Sequence, residues 1–205
     1  MKKEELILSL KKKGFSKKII DAFKEVPREN FVLEKLKPRA YEDTALPIGQ
    51  SQAISQPYTI ATMLSLLRAK KGQKVLEIGS GCGYVLALLS NIVGKSGEVF
   101  GVEVIRELAE RSATNLKKYD NIGVFNQNGT DGLEEEKPYN RILISAGIEG
   151  KIPEKILHQL KDNGILVAPV GQRYFQSLVA VQRKKNKFSV IKEIQGFVFV
   201  PFVRN

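Results

Sequence analysis

The chain has 205 residues, 42% of them hydrophobic, which is enough to bury a core in one domain without disulfides or metals. Cys82 is the only cysteine and His158 the only histidine of the sequence. An intramolecular disulfide, a zinc cluster and the usual Cys/His/Asp triads are therefore excluded. The net charge is +11, with the basic excess in residues 1–40 and 141–205. This charge is compatible with attraction to nucleic acid or acidic proteins, but solvated lysines are the simpler interpretation because no aromatic residues interleave with them.

The first residues do not read as an export signal. The apolar stretch over residues 6–10 is too short for a signal core and follows Glu4 and Glu5. No later run approaches the roughly 18 apolar residues of a membrane span. With a single thiol in the chain, we expect a cytoplasmic protein without a membrane contact.

Helical patterns open the chain. Their spacing predicts helices over residues 4–13 and 16–25, the second with Ser16 as its N-cap. Residues 38–57 contain prolines and a glycine and have no sustained period, which predicts an ordered loop, followed by a helix over 58–68. A long ordered loop in a small domain is usually functional.

From Lys74 onward, short apolar runs alternate with helical segments. We predict strands at 74–79, 98–104, 122–127, 141–146 and 165–171, with helices over 84–93, 105–118 and 153–160. This alternation predicts a mostly parallel sheet with right-handed crossovers. After Gly171 the apolar runs have only a polar turn at 184–187 between them, which predicts antiparallel strands at the edge of the sheet.

A glycine-rich turn follows the first strand of this alternating region. Gly79, Gly81 and Gly83 stand at alternate positions, where side chains would keep the backbone from turning sharply and approaching a ligand. Tyr84 stands where the dinucleotide pattern GxGxxG requires glycine, which argues against a dinucleotide. GxGxG preceded by an acidic strand residue, here Glu77, is instead the pattern of S-adenosylmethionine enzymes, whose ligand has no pyrophosphate.

Polar residues at the ends of the next two strands support the same ligand. Glu103 lies 20 residues after Gly83, and a carboxylate there can accept hydrogen bonds from both ribose hydroxyls. The polar loop 126–130 follows the third strand at the carboxyl edge of the sheet, where open α/β sheets bind ligands. Asn128 in this loop is a candidate acceptor for an adenine amino group, although a plain turn has the same composition. These features predict a Rossmann-like, S-adenosylmethionine-dependent methyltransferase fold.

The chain resembles the protein-L-isoaspartate O-methyltransferases along nearly its whole length. The matching segments are VPRENFV (26–32), AYEDTALPIG (40–49), QAISQPY (52–58), VLEIGSGCGY (75–84), VFGVEVIRELAERS (99–112), ILVAPVG (165–171) and FVPFV (199–203). The first three are specific to this family, whereas GxGxG is shared by most S-adenosylmethionine enzymes. The resemblance implies one methyltransferase domain over 1–205, with N-terminal helices and a substrate loop (1–70), a cofactor-binding core (71–171) and C-terminal edge strands (172–205).

The activity implied by this resemblance is protein repair. Methyl transfer from S-adenosylmethionine to the free carboxylate of an L-isoaspartyl residue leaves S-adenosylhomocysteine and an ester that cyclises to a succinimide. A carboxylate of pKa about 4 is already ionised at neutral pH, so it needs no general base, and positioning is the main catalytic contribution. No metal is implied, and the expected partners are isoaspartyl-containing proteins and peptides, with the enzyme acting as a monomer.

The resemblance also assigns roles to individual residues. Ser55 matches the active-site serine, whose hydroxyl hydrogen-bonds the substrate carboxylate; its alternative role is a helix cap before the helix at Tyr58. Ile54, Ser55 and Val200 are the expected substrate contacts, Val200 through backbone groups. The expected cofactor contacts are Glu77, Gly79, Ser80, Gly81, Gly83, Glu103, Asn128 and Gly129.

Four positions depart from the family pattern. The family usually has Asp where Asn128 and Asn140 stand, and Gly and Thr where Ser51 and Ala53 stand. Asn128 keeps an acceptor for adenine but loses the charge, which weakens the expected affinity for the cofactor. Ala53 lacks a hydroxyl in the substrate loop.

Two other functions are compatible with parts of the sequence. A nucleic-acid methyltransferase would use the charge of +11, but residues 144–147 read ISAG where enzymes that methylate base amines carry Asp/Asn-Pro-Pro-aromatic, and Cys82 is committed to the glycine turn. A non-catalytic relative that binds S-adenosylmethionine and isoaspartyl groups would explain the changes at Ala53 and Asn128. The absence of an additional interaction domain in the sequence argues against this second alternative.

Overall fold

The computed structural model describes residues 1–202. Val203, at which the predicted terminal strand ends, lies outside the described residues. Three helices come first: α1 (Lys3–Lys12), α2 (Lys17–Glu25) and α3 (Pro57–Leu67). The N-cap of α2 is Ser16, as the sequence predicts, but its side chain makes no capping hydrogen bond. All three helices bury their apolar faces in one hydrophobic cluster together with residues of the central sheet.

The prediction that residues 38–57 form an ordered loop was wrong in part, because the segment contains regular structure. A 3-10 helix extends to Arg39, and β1 (Leu46–Gly49) pairs with β2 (Gln52–Ile54) in an antiparallel hairpin. The strands are only 4 and 3 residues long, so the alternating burial of β1 is too short to be recognised as a strand pattern in the sequence, and Pro47 is not typical of a strand. Leu46, Ile48 and Ile54 are buried, which anchors the hairpin to the hydrophobic core.

Seven strands form the central sheet, in the order β5-β4-β3-β6-β7-β8-β9. They are β3 (Lys74–Ile78), β4 (Glu98–Glu103), β5 (Ile122–Asn126), β6 (Tyr139–Ile144), β7 (Leu160–Gln172), β8 (Phe175–Lys184) and β9 (Lys187–Phe197). The first five in sequence are parallel, and β8 and β9 join them through antiparallel pairings. This confirms the predicted mostly parallel sheet with antiparallel C-terminal strands.

The crossover helices are α4 (Tyr84–Val93), α5 (Arg106–Asn115) and α6 (Glu154–His158). Two of them are shorter than predicted, since α5 ends before Lys118 and α6 has only five residues. β7 starts at Leu160 rather than at Ile165, because a register irregularity in its pairing with β6 accommodates its polar first residues.

Successive residues of the central strands face opposite sides of the sheet. Val75 and Leu143 pack in the cluster that contains α1 to α5, whereas Leu76, Ile142 and Ile144 pack with α6 in a second cluster. Because both faces are covered, the strands read as continuous apolar runs, and ligands reach the sheet at its carboxyl edge. Among residues 1–202, no helix is long and apolar enough to cross a bilayer.

Candidate functional site

A cleft of about 630 Å³ opens at the carboxyl edge of the sheet, and we refer to it as the main cleft. Its floor is formed where β3, β4 and β6 end, and the β1–β2 hairpin and the segment after β9 form its walls. The lining residues are Ile48, Gln52, Ala53, Ile78, Gly79, Gly81, Val102, Glu103, Val104, Ile105, Asn128, Gly129, Ser145, Ala146, Val200, Pro201 and Phe202. Segments more than 100 residues apart in sequence therefore meet around one space.

Two smaller cavities adjoin the main cleft. The inner cavity, of about 400 Å³, lies between the hairpin, α3 and the glycine turn, and Ile54, Ser55, Glu77 and Ser80 line it. The outer groove, of about 450 Å³, runs between Ser55 and the segment 198–200. Every site residue predicted from the sequence lines one of these three spaces, with the exception of Gly83.

The glycine turn is hydrogen-bonded to the end of β4. The amides of Gly79 and Ser80 both donate to the Val102 carbonyl, at 2.8 and 3.1 Å, and the Gly81 amide donates to Glu103 Oε2 at 2.8 Å. Gly79 and Gly81 have φ of +79° and +54°, in the left-handed region that favours glycine. Because these amides already donate to acceptors within the chain, they are not available to bind a phosphate group. The turn instead presents the side-chain-free backbone of its glycines to the cleft.

Gly83 serves a different purpose from the other two glycines of the turn. It precedes α4 with φ of +85°, and a Cβ atom there would lie 2.4 Å from Ser112 Oγ and 2.8 Å from Leu116 Cδ1. Glycine at this position therefore permits the contact between the turn and the end of α5. The role of Gly83 as a cofactor contact stays a prediction that the geometry of the cleft does not support.

Glu103 is the polar centre of the main cleft. Its side chain is buried, and the amides of Gly81 and Ile105 donate to its two carboxylate oxygens at 2.8 and 2.9 Å. Asn126 donates to the Glu103 carbonyl at 2.8 Å and braces the same strand end. A carboxylate has about four acceptor positions, so Glu103 keeps capacity for hydroxyl groups of a ligand.

Asn128 and Gly129 close the far side of the main cleft. Asn128 Oδ1 accepts a hydrogen bond from the Thr130 amide at 2.9 Å and so caps a short 3-10 helix over residues 129–131. An amide oxygen has a second lone pair, which leaves one acceptor position for a ligand. Gly129 packs directly on β3, since a Cβ atom there would lie 2.3 Å from Ile78 Cγ2.

Glu77 is in β3, directly before the glycine turn, and is 1% exposed. Burial raises the pKa of Glu77 to about 8; the hydrogen bond from Ser145 Oγ, at 2.7 Å, lowers it, and the nearby charge of Glu103 raises it. Its second oxygen, Oε2, and the Ser80 hydroxyl are buried without a hydrogen-bond partner among residues 1–202. Unsatisfied buried acceptors beside a cavity indicate a polar group that the protein itself does not supply.

Ser55 borders both the inner cavity and the outer groove. It is not the cap of α3, because the N-cap residue is Gln56 and the Tyr58 amide donates to Asp43 Oδ1 at 2.8 Å. The alternative role that the sequence left open for this serine is thereby excluded. Its hydroxyl is available to a group in the groove.

The segment after β9 is held against the cleft by three hydrogen bonds. Gly147 donates to the Val200 carbonyl at 2.8 Å and accepts from the Phe202 amide at 2.9 Å. The Phe199 amide donates to Oε1 of Gln176, a buried side chain at the start of β8, at 2.8 Å. Val200 consequently faces both the main cleft and the outer groove.

Arg28, from the segment VPRENFV, supports the base of the hairpin. Its guanidinium is fully buried, lies 5.3 Å from the centre of the Tyr84 ring and donates to the Thr44 carbonyl at 3.4 Å. Burial lowers the pKa of Arg28. This contact links α4, which begins at the glycine turn, to the loop that leads into β1.

Sequence reasoning missed most of the apolar lining of the main cleft and two polar residues, Ser145 and Gln176. Ser145 lines all three spaces, and Gln176 anchors the terminal segment. Ser145 directly follows a buried strand, and polar residues at that position in an α/β sheet are site candidates, so this signal was readable. Nothing in the sequence around Gln176 indicates its contact with Phe199, which depends on tertiary structure.

Comparison with known proteins identifies related chains over the full length. The model of the protein-L-isoaspartate(D-aspartate) O-methyltransferase family matches residues 1–205. A protein-L-isoaspartate O-methyltransferase of Methanothrix thermoacetophila is 43% identical over 205 residues, which cover 99% of this chain and 95% of that one. Protein-L-isoaspartate O-methyltransferase 2 of Archaeoglobus fulgidus is 44% identical over 204 residues, covering 98% and 92%.

Solved structures of similar proteins have the same fold. A protein-L-isoaspartate O-methyltransferase superposes with a TM-score of 0.89 at 30% identity, covering 98% of this chain and 65% of that chain. A Plasmodium falciparum protein described as a protein-L-isoaspartate O-methyltransferase, in complex with S-adenosyl-L-homocysteine, gives a TM-score of 0.84 at 25% identity, covering 98% of both chains.

Proposed function

Because the chain belongs to the protein-L-isoaspartate(D-aspartate) O-methyltransferase family, we propose that it methylates the free carboxylate of L-isoaspartyl residues in damaged proteins. It is an S-adenosylmethionine-dependent methyltransferase by family and by fold. The observation that carries the proposal is that the outer groove, which Ser55 lines, meets the main cleft at Ala53, Ser145 and Val200. An acceptor in the groove and a methyl donor in the cleft would be in direct contact there.

The donor set of the main cleft and inner cavity suits S-adenosylmethionine. Glu103 would hold the ribose hydroxyls, the apolar side chains of Ile78, Val102 and Ile105 would enclose the adenine, and Asn128 would accept from its amino group. The unpaired Glu77 Oε2 offers an acceptor to the methionine portion beside the glycine turn. When bound, the cofactor supplies an electrophilic methyl group on its sulfonium. Among residues 1–202, no group of three or more His, Cys, Asp or Glu side chains is arranged to hold a metal ion.

The chain's own residues act by holding and orienting the acceptor. An isoaspartyl carboxylate is ionised at neutral pH and attacks through its own oxygen, so no side chain must remove a proton. The Ser55 hydroxyl would donate to one carboxylate oxygen and leave the other directed at the main cleft. Val200 would contribute backbone groups to the flanking peptide, which suits an enzyme whose substrates share a backbone lesion rather than a sequence. Positioning of this kind can supply most of a methyl-transfer rate.

One assay separates this function from the other two. Tritiated S-adenosylmethionine is supplied with an isoaspartyl peptide, its normal aspartyl counterpart and mixed RNA. Base-labile label on the isoaspartyl peptide alone supports repair. Label on RNA would establish a nucleic-acid methyltransferase, and cofactor binding without any transfer would establish a non-catalytic relative.

Two substitutions test the assignment of roles within the site. Gly81→Val places a branched side chain at φ +54°, where even a Cβ atom lies 3.2 Å from Ile48 Cδ1, and should abolish cofactor binding. Ser55→Ala should lower kcat with isoaspartyl peptide by roughly 10- to 100-fold and leave the Kd of S-adenosylhomocysteine within about threefold. Equal loss of cofactor binding in both variants would contradict these roles.

We further propose that residues 1–205 act as one domain, as a monomer in the cytoplasm and without a nucleic-acid partner. The N-terminal helices share their hydrophobic cluster with the central sheet, which supports a single domain. Some of the excess basic side chains form hydrogen bonds within the chain. Arg183, for example, donates to the carbonyls of His158 and Leu160, at 3.1 and 2.6 Å. Sedimentation of the full chain, alone and with RNA, tests the monomer and the lack of nucleic-acid binding together.

A further inference from the structure

Ser145 occupies the junction of the three spaces in the site. It follows β6 at the carboxyl edge of the sheet, and it lines the main cleft, the inner cavity and the outer groove. Ala53 lines the same three spaces from the hairpin but carries no hydroxyl. Among the described residues that line these spaces, Ser145 is therefore the hydroxyl-bearing side chain that lines all three, whereas Ser55 lines the inner cavity and the outer groove.

Ser145 is held in place by hydrogen bonds to two residues of β3. Its backbone amide donates to the Ile78 carbonyl at 2.8 Å, and its Oγ lies 2.7 Å from Glu77 Oε1. Glu77 is fully buried, and burial raises its pKa to about 8, which favours the protonated carboxyl group. In this arrangement Ser145 Oγ donates to Glu77 Oε1; when Glu77 is protonated it can donate to Ser145 Oγ instead, and this reversal would free the serine hydroxyl hydrogen for a group in the cleft.

We propose that Ser145 is a second catalytic hydroxyl, which hydrogen-bonds the isoaspartyl carboxylate together with Ser55, with Glu77 as its positioning residue. This inference rests on the proposed function. Two donors on one carboxylate oxygen fix the plane of the group and leave the second oxygen free to attack. In this arrangement Ser145 compensates for the hydroxyl that Ala53 does not provide.

The test compares Ser145→Ala, Ser145→Thr and the exposed helical control Ser65→Ala in the full chain. Ser145→Ala should lower kcat/KM for an isoaspartyl peptide by roughly 10- to 100-fold, while the Kd of S-adenosylhomocysteine changes less than about threefold. Ser145→Thr, which keeps the hydroxyl, should recover activity to within about tenfold of wild type. Ser65→Ala should be indistinguishable from wild type in both measurements.

A double-mutant cycle with Ser55→Ala distinguishes direct contact from a structural role. If both hydroxyls bind one carboxylate, the losses in kcat/KM should be clearly non-additive. If Ser145 only braces Glu77, Ser145→Ala should weaken S-adenosylhomocysteine binding as much as turnover, and the two losses should add; this result would overturn the inference. If the wild-type chain fails to methylate the peptide, the proposed function is wrong. If the wild-type chain is active and Ser145→Ala is equally active, only the proposed role of Ser145 is wrong.

Discussion

The two halves of the site are built in different ways. The cofactor half consists of consecutive strand ends, in which the glycine turn is bonded directly to β4 through Val102 and Glu103. The substrate half is assembled from the hairpin near residue 50 and the segment near residue 200, which is held by three hydrogen bonds outside the sheet ladder. The first half depends on neighbouring strand ends of one sheet, and the second on the buried side chains of the hairpin and a few hydrogen bonds of the terminal segment. Changes in the first should therefore affect folding or cofactor binding, and changes in the second should affect substrate use.

The largest expected effect concerns Gly83, whose surroundings indicate a role in packing rather than in ligand contact. Gly83→Ala combines a left-handed φ with a Cβ atom 2.4 Å from Ser112 Oγ, and we expect a loss of at least about 3 kcal/mol in the free energy of unfolding. Gly14→Ala is the matched control, because its φ is +83° but nothing lies within 4 Å of the added atom, and it should cost only about 1 kcal/mol. Urea denaturation measures both; equal losses would show that backbone strain alone explains Gly83.

The next largest expected effect concerns the free-energy cost of burying the Glu77 carboxyl group. Its pKa in the folded chain, about 8, is above its ordinary value of 4.5, so its contribution to stability is fully present below about pH 4.5 and is lost as the pH rises through about 8. Glu77→Gln cannot ionise, and it should therefore gain stability relative to wild type between pH 5 and pH 8, by about 2–4 kcal/mol.

Denaturation at several pH values provides the measurement for Glu77. The stability difference between Glu77→Gln and wild type isolates this residue, since all other titrating groups are common to both proteins. Glu107→Gln, at an exposed position on α5, is the control for the same change of side chain without burial. A difference for Glu77→Gln that does not vary with pH would mean that the buried carboxyl titrates normally.

Gln176 provides a direct test of the substrate half. Gln176→Leu leaves the Phe199 amide buried without its acceptor, a loss of about 1–3 kcal/mol that should fall mainly on the attachment of segment 198–202. We expect KM for an isoaspartyl peptide to rise about tenfold, with a smaller change in the Kd of S-adenosylhomocysteine. Gln172→Leu, at an exposed position nearby, is the control. If cofactor affinity fell more than peptide affinity, the two halves would not be separable in this way.

The smallest expected effect is at the tip of the hairpin. Ser51 is exposed and has φ of +55°, so Ser51→Gly should relieve left-handed strain and stabilise the chain by up to about 1 kcal/mol. That corresponds to a rise in Tm of about 2–4 °C. The same change at Ser65, exposed within α3, should lower Tm instead, because glycine destabilises a helix. Opposite signs in thermal denaturation would confirm the explanation.

Departures from the family pattern are partly explained by local contacts. Asn140 Oδ1 accepts from the Lys74 amide at 2.9 Å, so asparagine supplies the acceptor that the usual aspartate would. Asn128 likewise keeps its capping bond to Thr130 without a charge. Ala53 lines the same three spaces as Ser145, whose hydroxyl we propose as the compensation for the one that alanine lacks.

The sequence by itself determined the parallel sheet, the glycine turn and Glu103, because each is marked by a pattern within a strand–turn–helix unit that recurs along the chain. Periodicity and glycine spacing report such local geometry directly. The tertiary structure decided the hairpin at β1 and β2, the packing role of Gly83 and the placement of Ser145 and Gln176. These features depend on contacts between segments far apart in the chain, which no local pattern records.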